Sequence, residues 1–467
     1  MSESVGRSTN AAANVAGSER KATFAMQFGW LTLMGAVFFS TYGLANWLAT
    51  QRAYVPSFSF GWERAIPFVP WSIVPYWSID FLYALSFFFW TRRDDLLDHV
   101  KRLLTVQLIS VACFILWPLR YDFARPATDG VAGTLITLLM GFDKPYNQAP
   151  SLHIALLVVL WAVYARHLRN RAARLAMHLW FAAIGVSVLT TWQHHVIDVP
   201  TGAAVGCLAL FLFPLRNMAS APPDDDVASR TRRRALALRY TAAACVAGLA
   251  AIACIPRAVE WALVAGWGAL GLACVAWVYC RGNAKAFQKD VLGHFPVPML
   301  ILFAPTIAGA FVNSRAWTWR RPAPVRIDER LSIGRTPTGG DLLRRGFTGL
   351  VDLTAEMPRW VSLDASCAYS AVPQLDLVAP SMQQLERALA ALGCMHREGR
   401  DVLVCCALGY GRSVLCAAAW IARQRGLTDA RAALAAVRER QPRAVCSDES
   451  ISVLQDWIDR HCAMTEA

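Results

Sequence analysis

The feature that most restricts this chain is a set of apolar runs long enough to cross a bilayer, which takes about 20 residues of helix. They fall roughly at 24–48, 70–91, 101–119, 151–166, 175–193 and 196–215. In hydrocarbon every backbone N–H and C=O must be satisfied within its own segment, so the runs read as helices. Composition agrees, because 55% of the 467 residues are hydrophobic and 17% are charged, against about 25% charged in a soluble domain. The net charge of +13 is explained by basic loops at the ends of runs, chiefly Ala165–Arg174 and Arg230–Arg234, with Arg92-Arg93 in the Thr91–Asp95 loop. The positive-inside rule then puts the N-terminus in the cytoplasm and loop 120–150 and the His194 region outside. An integral, multi-pass protein of the cell inner membrane is expected, with the bilayer as its first partner. No basic run carries interleaved aromatics, so nucleic acid is not expected as a partner.

Residues 1–22 read as a polar, disordered tail, 23–216 as the membrane domain and 217–234 as a charged linker. Residues 235–313 supply extra membrane helices: a hairpin at about 235–254 and 258–280, then Phe295–Val312, which either spans or re-enters because it holds Pro296, Pro298 and Pro305. From Val325 the pattern alternates, with strands at Arg326–Ile333, Gly349–Leu353, Ala371–Leu375 and Asp401–Cys405 and helices at 381–397, from Arg412, and at 428–439. Such alternation implies an α/β layer with a central sheet over 314–467. The expected fold class is a polytopic helical membrane bundle followed by an α/β domain. None of the thirteen cysteines forms a C-x2-C pair, so no metal site is expected, and no cofactor. Seven of them lie in the C-terminal region, which suits a reducing compartment and a cytoplasmic C-terminal domain.

Two stretches carry chemistry. In the first, Val402-Leu-Val-Cys-Cys406-Ala-Leu-Gly409-Tyr-Gly411-Arg412-Ser413, an apolar strand runs through a glycine-containing loop into a helix. Such a loop curls its N–H groups around an oxyanion, and the helix dipole favours both that anion and a thiolate. Cys406 is thus the candidate nucleophile, Gly409 and Gly411 shape the phosphate cradle, and Arg412 grips two phosphate oxygens at once. The Ser413 hydroxyl stabilises Cys406 as a leaving group. The second stretch pairs Pro150-Ser151-Leu152-His153 with Gln193-His194-His195-Val-Ile-Asp198. One helix runs inward from His153 and the next returns to His194, so both imidazoles end at one face. Asp198, four residues after His194, can orient it. Asp80, an acid within an apolar run, pairs or functions.

Residues 60–215 resemble the type 2 phosphatidic acid phosphatase superfamily, whose signatures are K-x6-R-P, P-S-G-H and S-R-x5-H-x3-D. The chain has Arg125-Pro126 but Pro118 at the lysine position, with Arg120 nearby as a substitute, and Leu152 and Val188 at the glycine and second arginine positions. The sphingomyelin and inositol-phosphorylceramide synthase branch is more similar. The resemblance implies that His194 attacks phosphorus, Asp198 orients it, His153 protonates the leaving group, and Arg120 and Arg125 bind phosphate. Residues 325–460 resemble the dual-specificity branch of Cys-dependent tyrosine phosphatases, with Cys405 where that family has a histidine. The two adjacent thiols are then open to oxidation. The family needs a carboxylic acid upstream, and Asp376 is the candidate, with Asp352 and Asp364 as rivals. The segment around Asp376 is similar to the acid loop of the mitochondrial phosphatidylglycerophosphate phosphatase. Together these imply a bifunctional membrane enzyme whose substrate is a membrane lipid or a phosphorylated head group. The alternative is a membrane-tethered phosphatase of phosphoproteins with an inactive, lipid-sensing membrane domain.

Overall fold

The computed structural model describes residues 21–215, 227–364 and 366–461. The expected disordered tail, up to residue 20, lies outside them, as does the first part of the expected linker. The chain divides into two compact units, Met1–Asn217 and Met218–Ala467.

Among its described residues the first unit holds seven α-helices: α1 Phe24–Thr50, α2 Ile73–Ser86, α3 Arg93–Leu116, α4 Gly130–Phe142, α5 Leu152–His167, α6 Arg171–Thr190 and α7 Asp198–Leu212. α4 falls where sequence reading expects only an outward loop; at thirteen residues it is too short to span, which hid it. Helix starts follow local chemistry. Thr23 caps α1 by accepting the Met26 N–H, and Ser151 caps α5 by accepting the Ile154 N–H at 3.2 Å. The closest crossing is between α5 and α7. A side chain at Gly202 would meet the Ser151 carbonyl oxygen at 2.5 Å, and one at Gly206 the Ala155 carbonyl oxygen at 2.6 Å. This small-xxx-small face lets the two backbones touch.

The second unit begins with α8 Val227–Cys254, α9 Val259–Arg281 and α10 Val297–Thr318. The charged stretch read as a linker is therefore helical from Val227. α10 is one continuous helix with Pro305 inside it. These three, with α1, α6, α3 and the segment Pro70–Phe89, make seven helices among the described residues that are long and apolar enough to cross a membrane.

An α/β domain follows, built from β1 Val325–Asp328, β2 Leu331–Arg335, the single turn α11 Asp341–Arg344, β3 Gly349–Thr354, β4 Ala368–Gln374, α12 Met382–Arg397, β5 Val402–Cys406, α13 Arg412–Arg425, α14 Ala430–Arg440 and α15 Asp448–His461. The expected single strand at Arg326–Ile333 is a hairpin, because the polar Glu329-Arg330 pair turns the chain between β1 and β2. The mixed sheet has the order β1-β2-β5-β3-β4; β5 is parallel to both neighbours, and β1 is antiparallel to β2. β5 is buried along its whole length, as expected of a central parallel strand covered on both faces. α13 is buried from Arg412 to Ala422, its alanines letting it lie close to the sheet with Trp420 filling the core. At about 25 cal/mol per Å² of apolar surface, a buried residue of this size contributes a few kcal/mol.

Candidate active sites

Cys406 ends β5, the central strand, so the loop that follows opens at the carboxyl edge of the sheet, where ligands of α/β folds bind. Gly409 is required twice over. Its φ is 79°, and a Cβ there would lie 2.5 Å from the Gly334 carbonyl carbon. The turn it makes aims its N–H at the Cys406 sulfur, 3.2 Å away, while the Ser413 Oγ lies 3.4 Å from that sulfur. Gly411 is the cap residue of α13. Arg412, at the helix start, is 6% exposed, and its guanidinium organises the site. Nη1 and Nη2 donate to the two oxygens of Glu356 at 2.9 and 2.6 Å, Nη2 lies 3.1 Å from Asp376 Oδ1, and Nη1 also donates to the Gln374 carbonyl at 2.8 Å. Burial opposes its charge, but Glu356 and Asp376 outweigh it and hold the guanidinium above its ordinary range. Nε is buried without a partner, a donor left over for an oxyanion.

The three expected acids separate clearly. Asp376 follows β4 and reaches Arg412, with its side chain 40% exposed. Surrounding protein and Glu356 push its carboxyl above the usual range, against the pull of Arg412. Asp352 is fully engaged elsewhere: it accepts Lys289 Nζ at 2.6 Å, the Tyr369 hydroxyl at 3.0 Å, and the Thr354 N–H and hydroxyl at 2.9 and 2.7 Å. Burial would raise it, but Lys289 and Thr354 hold it below the usual carboxylate range. Asp364 is exposed and accepts the Ser366 N–H at 2.6 Å. A raised, accessible carboxyl next to the arginine is the arrangement a proton donor needs.

Cys405 differs from the expectation of two thiols poised for oxidation together. Successive residues of a strand face opposite ways, so Cys405 packs with Leu342, Phe347 and Leu403 on the other side of the sheet from Cys406. It is fully buried, and burial with Asp352 nearby pushes its thiol well up. Glu356 and Lys289 escaped the sequence reading because neither stands in a motif.

In the first unit the α5–α7 contact brings the histidine stretches together. His194 Nδ1 lies 3.1 Å from Asp198 Oδ2, and the same carboxylate oxygen accepts the His195 N–H at 2.9 Å. His153 stacks on Tyr76 with ring centroids 4.1 Å apart, and its Nε2 is buried without a partner. Both histidines line a cavity of about 300 Å³ with Asp80, Asp143 and Tyr42. Neither expected phosphate ligand lines it. Arg120 is exposed, and Arg125 donates to the Thr191 and Trp192 carbonyls, which makes it a brace for the His194 turn. His195 is clamped between Glu63 at 2.9 Å and Asp122 at 3.1 Å.

Comparison with known proteins bears on the second unit alone. The family model "Dual specificity phosphatase, catalytic domain" matches residues 342–460. No curated protein matches the chain. Among solved structures, Tk-PTP in its active form is 34% identical, with 30% of this chain and 99% of that one covered and a TM-score of 0.28. Human DUSP28 is 26% identical, with 30% and 95% covered and a TM-score of 0.26. PTPMT1 in complex with PI(5)P is 15% identical, with 30% and 97% covered and a TM-score of 0.28. The resemblance of residues 60–215 to the type 2 phosphatidic acid phosphatases has no family match behind it. The chain carries in its C-terminal part a dual-specificity phosphatase catalytic domain, and it is a Cys-dependent phosphoric monoester hydrolase.

Proposed function

We propose that this protein is a membrane-integral phosphatase whose cysteine site acts on phosphorylated lipids or their head groups. The supporting observation is that apolar helices of the second unit bond directly to the loops of that site. Ser314 on α10 donates to the Ala407 carbonyl, next to Cys406, at 2.5 Å. Arg315 donates to the Thr336 carbonyl at 2.9 Å, and Lys289, between α9 and α10, reaches Asp352 at the end of β3. A cradle tied at several points to helices long and apolar enough to cross a membrane supports a bilayer-borne phosphomonoester as the substrate.

In this reading Arg412 and the loop N–H groups bind the phosphoryl oxygens, and the Cys406 sulfur attacks phosphorus. The S–P bond forms as the P–O bond to the leaving group breaks, and Asp376 gives that oxygen its proton. Water then attacks the phosphocysteine, loses its proton to the Asp376 carboxylate, and releases phosphate, while Ser413 hydrogen-bonds the departing thiolate. The reactive thiol suits a cytoplasmic placement of this domain, on an inner membrane. In the first unit His194 is the nucleophile, Asp198 its orienting partner and His153 the acid, so that the chain is bifunctional. One observation favours the alternative for that unit: among the described residues its cavity is lined by Asp80 and Asp143 and by no arginine. This suits an inactive, lipid-sensing module tethering a phosphoprotein phosphatase.

The test uses full-length protein in nanodiscs, with wild type, Cys406→Ser and His194→Ala assayed for phosphate release from lipid phosphates and from phosphotyrosine peptides. Loss of lipid turnover with Cys406→Ser is expected. Undiminished lipid turnover in both variants would overturn the proposal, and turnover of peptides alone would select the phosphoprotein reading.

A further inference from the structure

In the acid loop between β4 and α12 the domain's own Arg412 takes the Asp376 carboxylate at 3.1 Å, but the backbone at the centre of the loop is held from elsewhere. Leu377, directly after Asp376, sits in the left-handed region at φ 59°, which an L side chain occupies only where the surroundings over-determine it. The residue is 58% exposed, so packing does not hold it there. Within the domain the loop is fixed at its edges, where the Gln384 amide donates to the Pro373 carbonyl at 2.9 Å and Arg412 to that of Gln374. The two carbonyls at its centre take donors from the membrane hairpin instead. The Tyr279 hydroxyl on α9 donates to the Asp376 carbonyl at 3.1 Å, and Arg232 Nε on α8 donates to the Leu377 carbonyl at 2.6 Å. The two helices are themselves fastened to each other beside this point. Arg233 donates to the Tyr279 and Cys280 carbonyls at 3.1 and 3.2 Å, and the Tyr240 and Tyr279 rings lie 5.2 Å apart.

Two consecutive carbonyls held from outside fix the peptide planes on both sides of the Leu377 Cα, and through them the direction in which Asp376 leaves the backbone. We propose that the α8–α9 hairpin is the positioning element of the proton donor: Tyr279 and Arg232 hold the acid loop in its working conformation. The phosphatase site is complete only with its membrane helices in place. The inference rests on Asp376 being the acid and is independent of whether the substrate is a lipid. Arg232 also lies 3.6 Å from Glu449, but a surface pair of that length contributes little.

Loss of proton donation weighs most on substrates with poor leaving groups, and this separates positioning from general damage. Phosphocysteine formation is measured in single turnovers of the full-length protein with 4-nitrophenyl phosphate, phenyl phosphate and glycerol phosphate. The variants are Tyr279→Phe, Arg232→Gln, both together, and each of these on an Asp376→Asn background. General acid catalysis supplies roughly 10²- to 10⁴-fold, so partial misplacement in the double variant should slow glycerol phosphate by on the order of 10- to 100-fold and 4-nitrophenyl phosphate by less than about 3-fold. On the Asp376→Asn background neither substitution should slow the reaction further, and Arg232→Lys, which keeps a donor, should recover part of the rate. Equal losses for all three leaving groups, no loss, or losses that persist beside Asp376→Asn would each overturn the inference. If Asp376→Asn itself shows no leaving-group dependence, the acid assignment fails, and the inference with it. Tyr279→Phe removes only a hydroxyl, and the Arg232 side chain is 40% exposed; thermal unfolding run in parallel checks that both variants fold.

Discussion

The Lys289–Asp352 pair allows a sharp test of how the loop between α9 and α10 is joined to the sheet. Both side chains are 1% exposed and 2.6 Å apart. Lys289→Met keeps the stem volume but leaves the Asp352 carboxylate buried with only the Thr354 and Tyr369 donors. Breaking a buried pair from one side costs about 3–5 kcal/mol. At about 2–4 °C per kcal/mol for a domain of this size, the unfolding midpoint should fall by on the order of 10 °C. The pH dependence gives a second, sign-sensitive readout. In the wild type Asp352 is held below its ordinary value, so its contribution is present above about pH 4 and is lost as pH falls through its lower folded value. In Lys289→Met, burial dominates and the folded value lies above the unfolded one. Stability should then decline as pH rises from about 4 toward neutrality, the reverse of the wild-type trend. The assay is thermal unfolding of the full-length protein in nanodiscs, followed by labelling of Cys405, a buried thiol in the same sheet. A variant curve parallel to the wild type, or a midpoint within a degree or two of it, would refute the reasoning. Lys289→Met with Asp352→Leu should restore most of the loss, because an apolar pair needs no charge compensation.

In the folded protein iodoacetamide should alkylate Cys406 and spare Cys405, since the latter faces the opposite side of the sheet with its thiol pushed up; mass spectrometry of the labelled peptide checks this, and equal labelling would contradict the strand geometry. Gly206→Leu should force α5 and α7 apart, at a cost of about 1–3 kcal/mol for overpacking. Limited proteolysis of the first unit should show it, together with loss of any turnover that depends on His194. Gly35→Leu, at a position with open space beside it, is the control that should do neither.

The sequence alone determined whatever depends on residues close together along the chain. The Cys406 cradle was legible because a strand, five intervening residues and an arginine at a helix start lie together along the chain, and the Gly409 N–H and Ser413 hydroxyl that face the sulfur come from that same stretch. The apolar runs were likewise legible as helices, from their length and composition. Asp376 could be proposed as the acid because it stands at a strand-to-loop position upstream of Cys406, and the structure puts its carboxylate 3.1 Å from Arg412. The tertiary structure alone decided what arrives from a distance. Glu356 fills the Arg412 fork, Lys289 neutralises Asp352, and Tyr279 and Arg232 reach the acid loop from 97 and 145 residues away; each is an ordinary side chain made significant by a partner that no periodicity announces. The opposite facings of Cys405 and Cys406 follow from the pleat, but that pleat matters only because β5 is covered on both faces. In the first unit, the histidines and Asp198 were legible as a spacing. Their cavity, walled by α1, α2, α4 and α5 and carrying Asp80 and Asp143, exists only once those helices are brought together. Contact chemistry is local and can be read along a chain, whereas electrostatic compensation depends on which charges folding brings together.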